Sequence, residues 1–280
     1  MHLMMILTAL IIAWGLRCIE LEPTGSWKQR WQRSLFSLIF PPLLLLSTSV
    51  AVICMGFQGQ MLGIQASWLG YSLAIIFAIA SVGLFLKLAY QGYQLRHQIN
   101  QYEQKIIGQQ PVRILETDFP YSAQIGFWHS ELVISQGLLE LLDQEHLAVV
   151  LAHEQAHVYY RDNFWFFWLG WLRYLTGWLP NSELLWQEIL LLREVRADLK
   201  AAQEIDPLLL AESLIKIVKN PLESPAMFCA NFSCNLLQGR LTERIDFILA
   251  EPEPISSFQW YSWSWMLLLF VPLFTIPLHY

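Results

Sequence analysis

His153-Glu154-Gln155-Ala156-His157 sets two imidazoles four residues apart, with a carboxylate beside the first. On an α-helix, residues i and i+4 share a face, so both rings can close on one metal ion. Glu154, one step round the helix, then lies beside the ion's open position. Metal-assisted hydrolysis of a peptide bond needs this combination: protein ligands that leave room for water, and a carboxylate to take the water's proton. The flanking run LAVVLAHEQAHVYY (147–160) is apolar and helical in pattern.

Three protein ligands are needed, so the third must come from a separate element. The segment LREVRAD (192–198) offers Glu194 and Asp198, again at i and i+4. Glu194 is the expected ligand, and Asp198 is expected to hold a ligand imidazole by its far nitrogen and so fix the tautomer. Ala197 and Ala201 would let this helix approach the first closely. Asp162, five residues past His157, is a second acceptor of the same kind. The plain alternative is a charged helix face on which Arg193, Glu194, Arg196 and Asp198 pair in water.

Other residues are weaker candidates. Ala123, Gln124, Ile125 and Gly126 lie in a run that reads either as an exposed edge strand, along which a substrate backbone could add, or as an ordinary structural strand. Arg244 is a candidate for stabilising the oxyanion, although Arg240 and Arg244 can also pair with Glu243 and Asp246. His2, His97, His129, His146 and His279 have no partner in spacing and read as surface or interfacial residues. Cys18, Cys54, Cys229 and Cys234 form no CxxC pair and read as free thiols.

The elements that position these residues follow from patterning. Val112–Thr117, Ser122–Trp128 and Glu131–Ser135 are short runs rich in β-branched and aromatic residues and predict a small sheet. Asp143 is an expected N-cap, with Glu145 in the first turn of a helix to about Tyr160. Further helices are expected from Ser182 to about Glu204, from Pro207, and over Arg240–Ala250 before the Pro252/Pro254 break. The polar stretch 91–110 reads as a helix continuing from the apolar run before it.

Of the 280 residues, 55% are hydrophobic and only 14% charged, against about 25% charged in an ordinary soluble domain. The deficit is local: Met1–Leu16, Leu35–Leu86 and Ile255–Tyr280 contain no Lys, Arg, Asp or Glu. A helix needs about 20 apolar residues to cross the hydrocarbon core, which predicts four spans near 2–19, 35–57, 68–88 and 260–279. The first has no basic residue before it and no small-residue cleavage site, so it reads as an anchor. Arg17, Lys28, Arg30 and Arg33 precede the second span, and Lys87, Arg96, Lys105 and Arg113 follow the third; the linker Gly56–Ser67 has no basic residue. The excess of positive charge on these loops places the N-terminus outside and residues from about 90 to 257 in the cytoplasm.

Phe164–Leu179 is apolar enough to suggest a fifth span. Its 16 residues reach only about 24 Å, and Arg173 in the middle would cost about 2.5–3.5 kcal/mol on insertion scales. A metal shared by 153, 157 and 194 also forbids a single crossing between them. The segment is therefore expected to be buried, re-entrant or interfacial. A net charge of −6 argues against direct nucleic-acid binding.

Gly126-Phe127-Trp128, the HEQAH helix running on to Arg161-Asp162-Asn163, Trp178-Leu179-Pro180 and REVRAD together resemble the BlaR/MecR-type antirepressor metallopeptidases. The resemblance covers roughly 110–250 in detail and the whole chain in topology. It implies a mainly α polytopic membrane protein with about four transmembrane helices and a cytoplasmic α+β zincin (gluzincin) domain between spans three and four. The expected organisation is an N-terminal membrane region 1–90, a metallopeptidase domain 91–257 and a C-terminal helix 258–280. One zinc ion per chain would be held by His153, His157 and Glu194, with Glu154 catalytic. HtpX-type membrane peptidases share the HExxH…ExxxD logic, but usually with more crossings between the two motifs. The sensor members of the antirepressor family continue into an external penicillin-binding domain, whereas this chain ends at Tyr280 with no Ser-x-x-Lys in an external position. The resemblance thus implies a peptidase without β-lactam sensing. The expected partners are the lipid bilayer, a protein substrate such as a winged-helix repressor, and a separate sensor protein. The alternatives are membrane-protein quality control, or a silent scaffold that keeps zinc for structure.

Overall fold

The computed structural model describes residues 1–19, 24–61, 63–108, 110–219, 240–250 and 260–279. Cys229, Cys234 and the Pro252/Pro254 break lie outside the described residues. The chain divides into two units: Met1–Ala89 with Trp168–Ile189 and Glu253–Tyr280, and Tyr90–Phe167 with Leu190–Pro252. Residues 168–189, expected inside the 91–257 domain, group with the first unit.

In the first unit, α1 (His2–Cys18) packs against α2 (Trp27–Met55), with Ala9 against Phe40, Leu44 and Leu45. The Ser26 hydroxyl accepts from the Gln29 N–H and starts α2, so Lys28, Arg30 and Arg33 lie in helix rather than in the loop expected for them. Arg30 is buried against Glu188 at 2.6 Å. Gly56, with φ at +81°, ends α2 in a conformation that costs glycine nothing. Two short strands, β1 (Gln60–Met61) and β2 (Ile64–Gln65), pair in the linker, and α3 (Trp68–Ile99) follows. Gly70 lets α1 approach closely, since a Cβ there would sit 2.7 Å from that of His2.

Helices α2 and α3 are long and apolar enough to cross a membrane. Leu69, Leu73, Ile76, Ile79, Val82 and Leu86 on α3 are all exposed, an apolar surface of a kind that water-soluble domains rarely present. The other two expected spans are shorter apolar stretches, His2–Cys18 and Trp263–Leu278. The last is built from two 3₁₀ stretches, Trp260–Phe270 and Leu273–Leu278, with Pro272 and Pro277 removing the donors that a continuous α-helix needs. His2, expected at a surface or interface, is buried within the chain, with Nδ1 3.4 Å from the Ser67 carbonyl and its ring 5.9 Å from that of His279.

The second unit is organised on a four-stranded sheet: β3 (Gln104–Ile107), β4 (Gln110–Leu115), β5 (Ser122–Ile125) and β6 (Glu131–Ser135), in the order β3-β4-β6-β5. Strands β4 and β6 are parallel and the other pairs antiparallel. Strand β3 corrects the helix expected to 110. The helix stops at Ile99, and Gly108, with φ at +56°, lets β3 turn back onto β4. The period of two divides the side chains between two faces. Val112, Ile114, Leu132 and Ile134 meet Leu138, Leu142 and Val150 on one face; Leu115 and Val133 meet Ile99 and Leu95 on the other.

Strand β6 runs directly into α4 (Gln136–Leu141), capped by the Ser135 hydroxyl on the Leu138 N–H, a helix that patterning did not predict. Asp143 accepts from the His146 N–H and starts α5 (Gln144–Tyr159). Then come α6 (Asp162–Leu175), α7 (Ser182–Ala201), α8 (Pro207–Val218, with Asp206 as its cap) and α9 (Leu241–Leu249). At 14 residues α6 is about 21 Å long, too short to span a bilayer. Arg173 within it pairs with Glu183 and lies 5.0 Å from the Trp186 ring.

Candidate metal centre

All the residues of the site lie within the second unit. The face of α5 that covers the sheet through Val150 also carries the HExxH turn, which fixes the helix and with it both imidazoles. His153 Nε2 lies 3.1 Å from His157 Nε2 and 3.3 Å from Glu194 Oε2, and Glu194 Oε1 is 3.8 Å from His157 Nε2. One donor atom from each residue falls within 4.8 Å of the others. Two nitrogens bound tetrahedrally at 2.0–2.1 Å are about 3.3 Å apart, so the spacing and the His/His/Glu donor set both fit zinc.

Each ligand candidate is held from behind. Asp198 Oδ1 stands 2.8 Å from His153 Nδ1, and Asp162 Oδ2 2.7 Å from His157 Nδ1. With Nδ1 facing a carboxylate, the Nε2 of each ring is the nitrogen aimed at its neighbours. Arginines hold the acids in turn. Arg244 of α9 meets Asp198 through two bonds of 2.7 and 2.8 Å, and Arg193 donates to Glu194 Oε1 at 2.5 and 2.8 Å. Arg196 binds Asp162. Arg193, Glu194, Arg196 and Asp198 are therefore neither paired in water nor devoted to a metal alone: an arginine holds each of the buried acids Glu194, Asp198 and Asp162, which face an imidazole or the shared site. Patterning missed these roles for Arg193, Arg196 and Arg244. The cue in the sequence was that Arg193 and Arg196 lie on either side of Glu194 in REVRAD; nothing local marked Arg244.

The electrostatics favour positive charge at the centre. Burial opposes ionisation of Glu194, but Arg193, then His157, His153 and Arg244, hold its carboxyl well below the ordinary range. Asp198 is also pulled below its ordinary value against burial, chiefly by Arg244 and then by His153. Burial works against a charged His153, yet Asp198 and Glu194 outweigh it and raise the imidazole to about 10. The proton on His153 thus answers the same two carboxylates that would face a divalent ion.

Glu154 is buried, and its Oε1 accepts a 2.7 Å bond from the Ser122 hydroxyl on β5. Strand β5 is an edge strand. Ala123, Gln124 and Ile125 lie in it, whereas Gly126 lies beyond it with φ at +133°; a Cβ there would come within 2.2 Å of the His129 carbonyl. Gly126 thus follows directly on the last residue of the expected docking edge. Arg240 pairs with Glu243 as expected, at 3.0 Å. Arg244 does not pair with Asp246 or Glu243 but is turned into Asp198, and it is 4% exposed. Its Nε and Nη2 both bond Asp198, and Nη2 also lies 3.8 Å from Glu194 Oε2. His146 is buried against its own cap, with Nδ1 2.7 Å from Asp143 Oδ1, and is not a surface residue.

A search of curated proteins finds no match to this chain. Residues 105–205, a little over a third of its length, match the model of Peptidase family M48. The matched stretch contains the four-stranded sheet except Gln104, the HExxH turn and the Glu194–Asp198 turn. Peptidases of that family are typically zinc-dependent; the match supports a metallopeptidase, and the three donors that could hold its metal lie within the matched stretch.

Proposed function

We propose that this protein is a membrane-held zinc endopeptidase with its active site at the cytoplasmic face. One observation carries the reading: three metal-competent donors converge, while a second carboxylate, Glu154, stands next to His153 on the same helix and stays outside the donor set. A structural zinc site generally closes with four protein ligands and needs no base.

In this reading His153, His157 and Glu194 hold the ion. Bound zinc supplies Lewis-acid polarisation and lowers the pKa of its water to about 7. Glu154 takes the proton of the attacking water and returns it to the leaving amide nitrogen. Asp198 and Asp162 keep the two imidazoles in the tautomer that presents Nε2. Arg193 occupies Oε1 of Glu194 and leaves Oε2 toward His153. The outer edge of β5 offers backbone groups on which an extended substrate can add as a further strand.

The resemblance to antirepressor peptidases points to a cytoplasmic regulatory protein as substrate, a winged-helix repressor by that analogy, with any sensor a separate protein. The second reading is cleavage of membrane proteins in quality control. It is favoured by the family match, which supports a metallopeptidase without singling out the antirepressor type. Proteomics of protein termini in cells carrying the wild type or Glu154→Gln tests both. New termini in a cytoplasmic repressor that vanish in the variant support the first reading. New termini confined to membrane proteins support the second. Identical termini in the two strains contradict both.

A further inference from the structure

Strand β5 does two things at one residue. The backbone bond from the Ser135 N–H to the Tyr121 carbonyl, at 2.8 Å, marks residues 121 and 135 as a hydrogen-bonded pair of the β5/β6 ladder. Antiparallel pairs alternate, so Ala123 and Ile125 also bond toward β6, while the N–H and C=O groups of Ser122 and Gln124 point to the open edge. The outward carbonyl of Gln124 is already taken, accepting from the Asn163 side chain at 2.8 Å. The Ser122 carbonyl is then the outward acceptor that β5 offers to an incoming backbone. The side chain of the same residue reaches the other way, through its hydroxyl, to Glu154 at 2.7 Å.

We propose that Ser122 is a positioning residue for Glu154, and that it links docking of the substrate backbone on β5 to the orientation of the base. This inference rests on the endopeptidase reading above. The hydroxyl engages Oε1 and leaves Oε2 as the oxygen that takes the proton. A substrate strand bonded to the Ser122 backbone fixes the Cα from which that hydroxyl projects. Asn163 sets one end of the docking edge by filling the Gln124 carbonyl, next to Asp162 on the same helix, which holds His157.

The test uses full-length, detergent-solubilised, zinc-loaded protein with fluorescein-labelled casein as the probe, comparing wild type, Glu154→Gln, Ser122→Ala and Ser122→Thr. Ser122→Ala keeps the backbone groups and loses the donor, so kcat should fall roughly tenfold, the scale of one hydrogen bond to a charged group. KM should stay within about twofold, and the zinc content should be unchanged. Ser122→Thr restores the hydroxyl and should recover kcat to within about threefold of wild type. A Ser122→Ala protein with wild-type kcat, or a loss that Thr does not rescue while zinc is retained, overturns this inference and leaves the peptidase reading intact. Wild type that cleaves casein no faster than Glu154→Gln overturns the peptidase reading and this inference with it.

Discussion

At the residue scale, the centre is a set of buried charges that depend on one another. Asp198 touches His153 and is gripped by Arg244 through two bonds. Leaving one partner of such a buried pair alone costs about 3–5 kcal/mol, and the carboxylate behind a metal-binding histidine typically changes metal affinity 10- to 100-fold. Arg244→Ala should therefore lower both the thermal midpoint and the zinc affinity, although Arg244 is no ligand. Zinc titration that finds wild-type affinity in this variant would refute the support assigned to it. Glu194→Ala should lose most bound zinc, measured by elemental analysis; full occupancy would require another ligand. His153, Glu154, His157, Glu194, Asp198 and Asp162 were all legible in the sequence, because helical spacing alone brings the first five into pairs or adjacency and Asp162 is only five residues past His157. The bonds that Arg244 and Ser122 make were not, although Arg244 was a candidate for another role. Their contacts cross 46 and 32 residues of chain, and nothing periodic announces a partner that folding delivers from another element.

At the element scale, the start of α5 sets the register of the HExxH turn, and Asp143 sets that start. Its carboxyl is held below the usual carboxylate range, first by the His146 backbone N–H and then by the His146 side chain. A depressed folded pKa means that the charged cap contributes stability above the unfolded value of about 3.9 and loses it as pH falls toward the folded value. Asp143→Asn should lower the thermal midpoint at pH 7, with the gap from wild type narrowing below about pH 4. A gap that stays constant down to pH 2 would show that the charge contributes nothing. Most helices were legible through such caps and through Pro207. The hairpin of β3 was not, because its polar residues continue the composition of the helix before it, and only pairing with β4 beyond Gly108 makes them a strand.

At the scale of the whole molecule, the charge-free runs yield two helices that can cross a membrane, α2 and α3, and the exposed apolar face of α3 states the case most openly. A lysine on that face would cost about 2.5–3.5 kcal/mol on insertion scales. Ile76→Lys combined with Val82→Lys should shift the protein from the alkali-resistant membrane fraction to the soluble or degraded pool. Unchanged membrane retention would show that α3 is not the element that holds it. In the function proposed above, a metal held by His153, His157 and Glu194 serves peptide hydrolysis with Glu154 as base. Zinc content and casein cleavage measured on the same preparation of Glu154→Gln test it most directly. The variant should hold one zinc ion per chain, as in wild type, with cleavage abolished; wild-type cleavage by the zinc-loaded variant would show that Glu154 is not the base.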